Sequence, residues 1–358
     1  MSQRGWGVVV SFKLRTSLTP TTSDTVLKDT FDVVVVGGGP AGLTATLYCA
    51  RFGLDTVVIT KNIGGLVVEA PLVDDYIGLP EIKGTDLVEK FVKHVKKYGV
   101  PIVIDEVVDV FRDKYSDDYW CVKLKSNRVL RSYVVVLAVG SEKRKLGVPG
   151  EEEFLGRGVS YCAICDGPLF RGKDVAVIGG GNSALTAALF LANIANKVYL
   201  VHRRSSFRAF KVYVDAVLSN PKIEVIWSSV VKEIFGGDLV EGIRVANLET
   251  GEERIIKVSG VFIEIGLRPP TEFFKRIGLE VDEEGRAIVN IDRSTSLRGI
   301  YVVGDAAGGP YKYKLEQIIT AAADGAIAAD AIYKYISLLK SSKTPTESRL
   351  NRSLGTKC

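Results

Sequence analysis

At 358 residues the chain is long for a single domain, and two domains are the expectation. A composition of 46% hydrophobic and 25% charged residues is that of a soluble globular enzyme with sizeable cores. The net charge of +5 is mild and the Lys and Arg residues are scattered, so nucleic-acid binding has no support, and no apolar run reaches membrane-spanning length.

Residues 1–30 lack periodicity and read as a flexible N-terminal arm; Val8-Val9-Val10 is too short for a signal sequence. Phe31 to Val36 is an apolar, β-branched run, the pattern of a buried parallel strand. It enters Gly37-x-Gly39-Pro40-Ala41-Gly42, after which Ala41 to Arg51 reads as a helix and Thr56 to Thr60 as the next strand. In a strand–turn–helix context this spacing is a dinucleotide signature. The first Gly makes the turn, the second admits a pyrophosphate, and the third lets helix and strand pack closely. Thr60 and Lys61 stand where an acidic ribose ligand is usual.

A helical segment over 85–98 and a β-rich stretch from Val100 to Val139, closed by Gly140, follow. The same grammar then restarts with a strand Asp174–Ile178, the turn Gly179-x-Gly181-Asn182-Ser183-Ala184, a helix to Ala195 and a strand Lys197–Val201. One βαβ design used twice points to a duplicated domain type. The second copy ends in His202-Arg203-Arg204, with Arg208 beyond; guanidinium groups there suit a 2′-phosphate, favouring NADPH over NADH. Two polar stretches, Glu142 to Gly150 and Gly266 to Pro270, read as crossings between domains. After the second come a strand over 299–303, Gly304-Asp305, a long Ala-rich helix over 315–339 and a polar tail, 341–358, expected to be disordered.

Cys162-Ala163-Ile164-Cys165-Asp166 lies just ahead of the second glycine turn. A zinc site would need further ligands, but there is no other Cys-x-x-Cys and the two His residues lie in unrelated segments. As a redox pair, one thiolate attacks a substrate disulfide and its partner resolves the mixed disulfide. Asp166 is a candidate acid/base for the departing thiol, with a helix cap as the plainer alternative. Cys49 and Cys121 read as small core residues, Cys358 as incidental, and Tyr311 and Tyr313, after a Gly-Gly-Pro turn, as cover for the first nucleotide site or as packing. Isolated cysteines fit a reducing compartment, hence the cytoplasm. Two Gln and one Met beside abundant Val, Ile, Glu and Lys fit a thermophile source.

On these residues the chain resembles the low-molecular-weight thioredoxin reductases, over roughly residues 31–337. The resemblance implies an α/β fold of two Rossmann-like dinucleotide-binding domains. A discontinuous FAD domain (31–143 and 271–340) would hold an inserted NADPH domain (144–270) that carries the dithiol. It implies FAD at the first turn, with Gly64, Gly65, Asp75, Gly140, Gly304, Asp305 and Gln317 contributing and Asp305 on the ribityl chain. NADPH would lie at the second turn. Cys165 would face the flavin, Cys162 would attack the partner, and Asp166 would be the acid/base. A homodimer, a thioredoxin- or glutaredoxin-like partner and a rotating NADPH domain are further implications. Departures from the family pattern are Leu66 for a Gln, Glu316 for an Arg, Asp75 for an Asn, and Leu185 to Ala188 for a stretch that commonly carries acids. Two other flavoenzyme activities use the same scaffold. An oxygen-using dithiol oxidase would have little use for Arg203, Arg204 and Arg208, and a ferredoxin/NADP reductase would not need the two cysteines.

Overall fold

The computed structural model describes residues 28–70, 72–309 and 315–342. The expected arm up to Leu27, Tyr311, Tyr313, the tail from Lys343 and Cys358 lie outside them. The run Val33–Val36 is fully or almost fully buried within β1 (Thr30–Gly38), as a strand covered on both faces must be. Pro40, whose missing N–H costs nothing at a helix start, opens α1 (Pro40–Arg51). The chain returns as β2 (Thr56–Ile63). This strand outruns the expected Thr60 end because Thr60 Oγ1 accepts the Gly38 N–H at 2.9 Å, and pairing resumes beyond a register shift at Gly38↔Ile63.

The amphipathic α2 (Gly84–Lys96) leads to β3 (Ile102–Ile104), β4 (Val107–Arg112), β5 (Trp120–Leu124) and β6 (Val129–Leu137). β3, β2, β1 and β6 are mutually parallel neighbours; β4 and β5 extend the sheet antiparallel from the first part of β6. The two short strands after it are β7 (Glu142–Lys143) and β8 (Val159–Ser160).

A second layered unit follows: α3 (Ala163–Asp166), β9 (Asp174–Gly179), α4 (Asn182–Ala192), β10 (Lys197–Val201), α5 (Lys211–Leu218) and β11 (Ile223–Ile226). An antiparallel excursion, β12 (Ser229–Gly236), β13 (Val240–Asn247) and β14 (Glu253–Lys257), returns to β15 (Gly260–Glu264). The resulting parallel sheet has the order β11-β10-β9-β15-β8. Its core centres on the fully buried Phe262 with Leu185, Leu191 and Leu200; burying each such side chain stabilises the fold by roughly 1.5–3 kcal/mol.

The chain leaves this unit through β16 (Leu267–Arg268), which pairs antiparallel with β7, Leu267 opposite Lys143 and Arg268 opposite Glu142. The two polar crossings read from the sequence therefore form one two-stranded ribbon. Beyond it come α6 (Thr271–Arg276), β17 (Ile300–Val302), which adds to the last part of β6 in parallel, and α7 (Ile318–Ser341). α7 starts a few residues later than the sequence suggests because Gln317 caps it: its N–H reaches Thr320 Oγ1 at 3.2 Å. α7 packs closely on α1, a Cβ on Gly325 falling 2.2 Å from the Ala41 carbonyl. No described helix is long and apolar enough to cross a membrane.

Candidate active site

The two glycine turns are built alike. Gly37 (φ +112°) and Gly179 (φ +150°) adopt backbone that side chains disfavour, and a Cβ on either would fall 2.2 or 2.1 Å from a neighbouring strand's carbonyl, Ala138 or Glu264. The third positions close the packing: a Cβ on Gly42 would meet the Gly37 carbonyl at 2.0 Å, and Ala184 is fully buried. The middle positions are open, with no atom within 4 Å of a Cβ on Gly39 or Gly181. Each middle residue caps its helix in extended conformation, so bare N–H groups of α1 and α4 face that space. These are cradles of the kind a pyrophosphate fills.

Around the first turn the fold gathers most of the residues expected there. Gly64 donates its N–H to the Gly38 carbonyl at 2.8 Å, and a Cβ on Gly65 would lie 3.6 Å from Gly39 Cα. Gly304, whose Cβ would stand 2.9 Å from that of Ala41, brings the half-buried Asp305 beside the same turn. Gly140 follows two residues after the Ala138 carbonyl that packs on Gly37. Gln317 precedes α7. Asp75 is exposed on its loop, while Tyr76 packs edge-on against Phe91. The carboxylate of Glu316, unexpected from its family position, is held 2.7 Å from Arg286, a cation that no periodic pattern marks.

At the second turn the loop after β10 folds back over the helix start. The Arg208 N–H donates to the Gly180 carbonyl at 2.9 Å, and the Phe210 N–H to Asn182 Oδ1 at 2.8 Å, next to Ser183. Arg203 and Arg208 are exposed and Arg204 is half-buried. Among the described residues no carboxylate pairs with any of the three, and desolvation with the two like-charged neighbours pulls Arg204 below the usual guanidinium range. An unneutralised cationic trio beside a helix start has the charge and the donors that suit a phosphate. His202 is buried; its ring lies under Gly180, with Nε2 3.0 Å from the Ser206 carbonyl, and burial lowers its pKa. It supports the turn as a neutral ring and leaves the charge to the arginines.

Cys162 and Cys165 are joined in a disulfide, with Cα atoms 5.3 Å apart. Cys162 caps the four-residue α3, and its Sγ accepts the Cys165 N–H at 3.2 Å. In this pose Cys165 is the more exposed of the two. Asp166 ends α3, but its carboxylate caps nothing; it accepts the Ser160 hydroxyl at 2.7 Å. Ser160, two residues before the pair, was not evident in the sequence because an isolated buried Ser has no motif.

Beside the dithiol, Lys143 on the ribbon pairs with Glu69 at 2.6 Å and donates to the Tyr161 carbonyl. Glu264 stands close by, and burial, opposed by Lys143 and aided by Glu69, pushes its carboxyl up to about 7. Away from the site, Cys49 and Cys121 are both fully buried; Cys49 is a free thiol that burial pushes up to about 12, whereas Cys121 is disulfide-bonded.

The chain from 31 to 325 matches the family model described as pyridine nucleotide-disulphide oxidoreductase. It is 38% identical to a thioredoxin reductase of Listeria monocytogenes over 87% of this chain and 96% of that protein. Among solved structures, Lactococcus lactis thioredoxin reductase in its FR conformation superposes with a TM-score of 0.80 at 35% identity, covering 86% of this chain and 99% of that one. Streptococcus pyogenes thioredoxin reductase, 38% identical over 87% of this chain and all of its own, gives a TM-score of only 0.56.

Proposed function

Because the chain belongs to the pyridine nucleotide-disulphide oxidoreductase family and, within it, to the thioredoxin reductases, we propose that it reduces a thioredoxin- or glutaredoxin-like protein disulfide at the expense of NADPH. The observation that carries this reading is the presence in one chain of two open glycine cradles and a Cys162–Cys165 disulfide.

The first cradle, with Gly37, Gly39, Gly42, Gly64, Gly65, Gly140, Gly304, Asp305 and Gln317 around it, fits FAD. The second fits NADPH: Gly181 and the N–H groups of α4 face its pyrophosphate, and Arg203, Arg204 and Arg208 its 2′-phosphate. Bound there, the flavin would supply the two-electron step between nicotinamide and disulfide.

The remaining chemistry belongs to the chain's own side chains. With the pair reduced, the Cys162 thiolate, steadied by the Cys165 N–H, attacks the partner's disulfide. Asp166 protonates the departing partner thiolate. Cys165 then attacks Cys162, releasing the second partner thiol and closing the disulfide again.

In this reading residues 144–270 form the NADPH domain within an FAD domain of 31–143 and 271–340, and the β7–β16 ribbon is the hinge. Relatives of nearly equal identity superpose at 0.80 and 0.56, a gap that a rigid-body swing of one half would produce. A cytoplasmic homodimer from a thermophile completes the proposal. It is tested by NADPH-dependent reduction of oxidised thioredoxin. The wild-type protein turns over, and Cys165→Ser loses at least a hundredfold of that rate, roughly 3 kcal/mol of barrier. Turnover that survives the change would remove the dithiol from the route.

A further inference from the structure

We propose that Ser160 is a positioning residue for the dithiol chemistry: its hydroxyl holds the Asp166 carboxylate to the backbone of Cys162 in both protonation states of that carboxylate. This rests on the acid/base reading of Asp166 given above.

Ser160 is 4% exposed on β8, and its hydroxyl touches three groups of the redox segment. It accepts the Cys162 N–H at 2.9 Å and lies 2.7 Å from Asp166 Oδ2 and 3.2 Å from the Cys162 carbonyl. A hydroxyl carries one proton and two lone pairs. With one lone pair taken by the Cys162 N–H, its proton goes to the nearer, charged acceptor, the ionised Asp166. When Asp166 is protonated its O–H can donate to the second lone pair, and the Ser160 proton turns to the Cys162 carbonyl. All partners stay satisfied and no heavy atom moves, so the proton on Asp166 is exchanged at a fixed distance from Cys162.

Other ionisable groups are few on the packed elements. β8 leads into Tyr161, whose hydroxyl is 2.6 Å from Glu151 and whose carbonyl takes Lys143. β15 contributes Glu264, and α4, packed on α3, carries no ionisable side chain. The redox segment adds Cys162 and Cys165.

The test uses the flavin-loaded, full-length protein with its dithiol reduced. The rate of Cys162 and Cys165 alkylation by iodoacetamide is followed against pH by mass spectrometry, which needs neither nucleotide nor partner. Wild type and Ser160→Thr should give the same rate–pH profile. Ser160→Ala, which removes the link between the Asp166 carboxylate and Cys162, should depart from that profile in the same direction as Asp166→Asn, by about twofold or more in rate. Ser160→Val, which also lacks the hydroxyl, carries the same expectation and serves if the alanine variant does not fold. A wild-type profile in Ser160→Ala or Ser160→Val, with Asp166→Asn altered, overturns the role of Ser160 alone. A wild-type profile in Asp166→Asn overturns both this role and the acid/base reading.

Discussion

Charge decides how single residues behave around the second turn. Arg204 and Arg208 have no acidic partner among the described residues, so truncating them removes ligand contacts without breaking internal ion pairs. Replacing both by Ala should raise KM for NADPH at least tenfold while leaving that for NADH within about twofold, since charge-assisted hydrogen bonds to phosphate contribute roughly 1.5–3 kcal/mol each. Equal losses for both nucleotides in steady-state kinetics would remove the 2′-phosphate from the account. Glu264 acts on stability instead. Its carboxyl is raised from the ordinary 4.5 to about 7, so the folded state holds that proton more tightly than the unfolded chain. The stability this contributes is full below pH 4.5 and is lost as pH rises through 7, to an extent on the order of 3 kcal/mol. Urea unfolding of Glu264→Gln should be flatter than wild type across that window. Identical pH dependence of the two proteins would contradict it. The arginines were legible in the sequence because their place after a strand end is fixed by the βαβ register. Glu264 was not, because its neighbours Lys143 and Glu69 are remote in sequence and only the ribbon brings them together.

At the scale of the element, the strand–turn–helix units separate two kinds of glycine. A side chain at Gly37 meets both a left-handed φ and the Ala138 carbonyl, so Gly37→Ala should lower stability by roughly 1–3 kcal/mol whether or not flavin is bound. Gly39 has extended backbone and open space, and Gly39→Ala should fold with the thermal midpoint of wild-type apoprotein yet retain far less flavin. Differential scanning fluorimetry with flavin content by absorbance distinguishes them; full flavin in Gly39→Ala would mean the open space is not the cofactor's. These units were the most legible part of the chain, since their glycines, apolar strands and helix starts follow one local rule. Boundaries set by side chains were not. Thr60 prolongs β2 by bonding Gly38, and Gln317 with Thr320 delays the start of α7; neither contact has a period to detect. Arg286 facing Glu316 is likewise a pairing of distant segments, so sequence alone left a carboxylate without its cation.

Across the whole molecule, two sheets of the same design are joined by one short ribbon, and the dithiol lies in the unit of the second turn. The two crossings could be placed from their Pro, Gly and charged residues, whereas their pairing with each other is a long-range contact that local pattern does not encode. The Lys143–Glu69 pair ties the ribbon to the segment that follows Gly64 and Gly65, next to the first turn. A molecule so built passes electrons between two nucleotides and a disulfide only if they act in series. Anaerobic mixing with NADPH, followed by oxidised thioredoxin, with the flavin's visible absorbance recorded throughout, tests that most directly. NADPH should bleach the flavin in both the wild type and Cys162→Ser, and adding thioredoxin should restore its absorbance only in the wild type. Failure of NADPH to bleach the flavin, or recovery in Cys162→Ser equal to wild type, would contradict action in series.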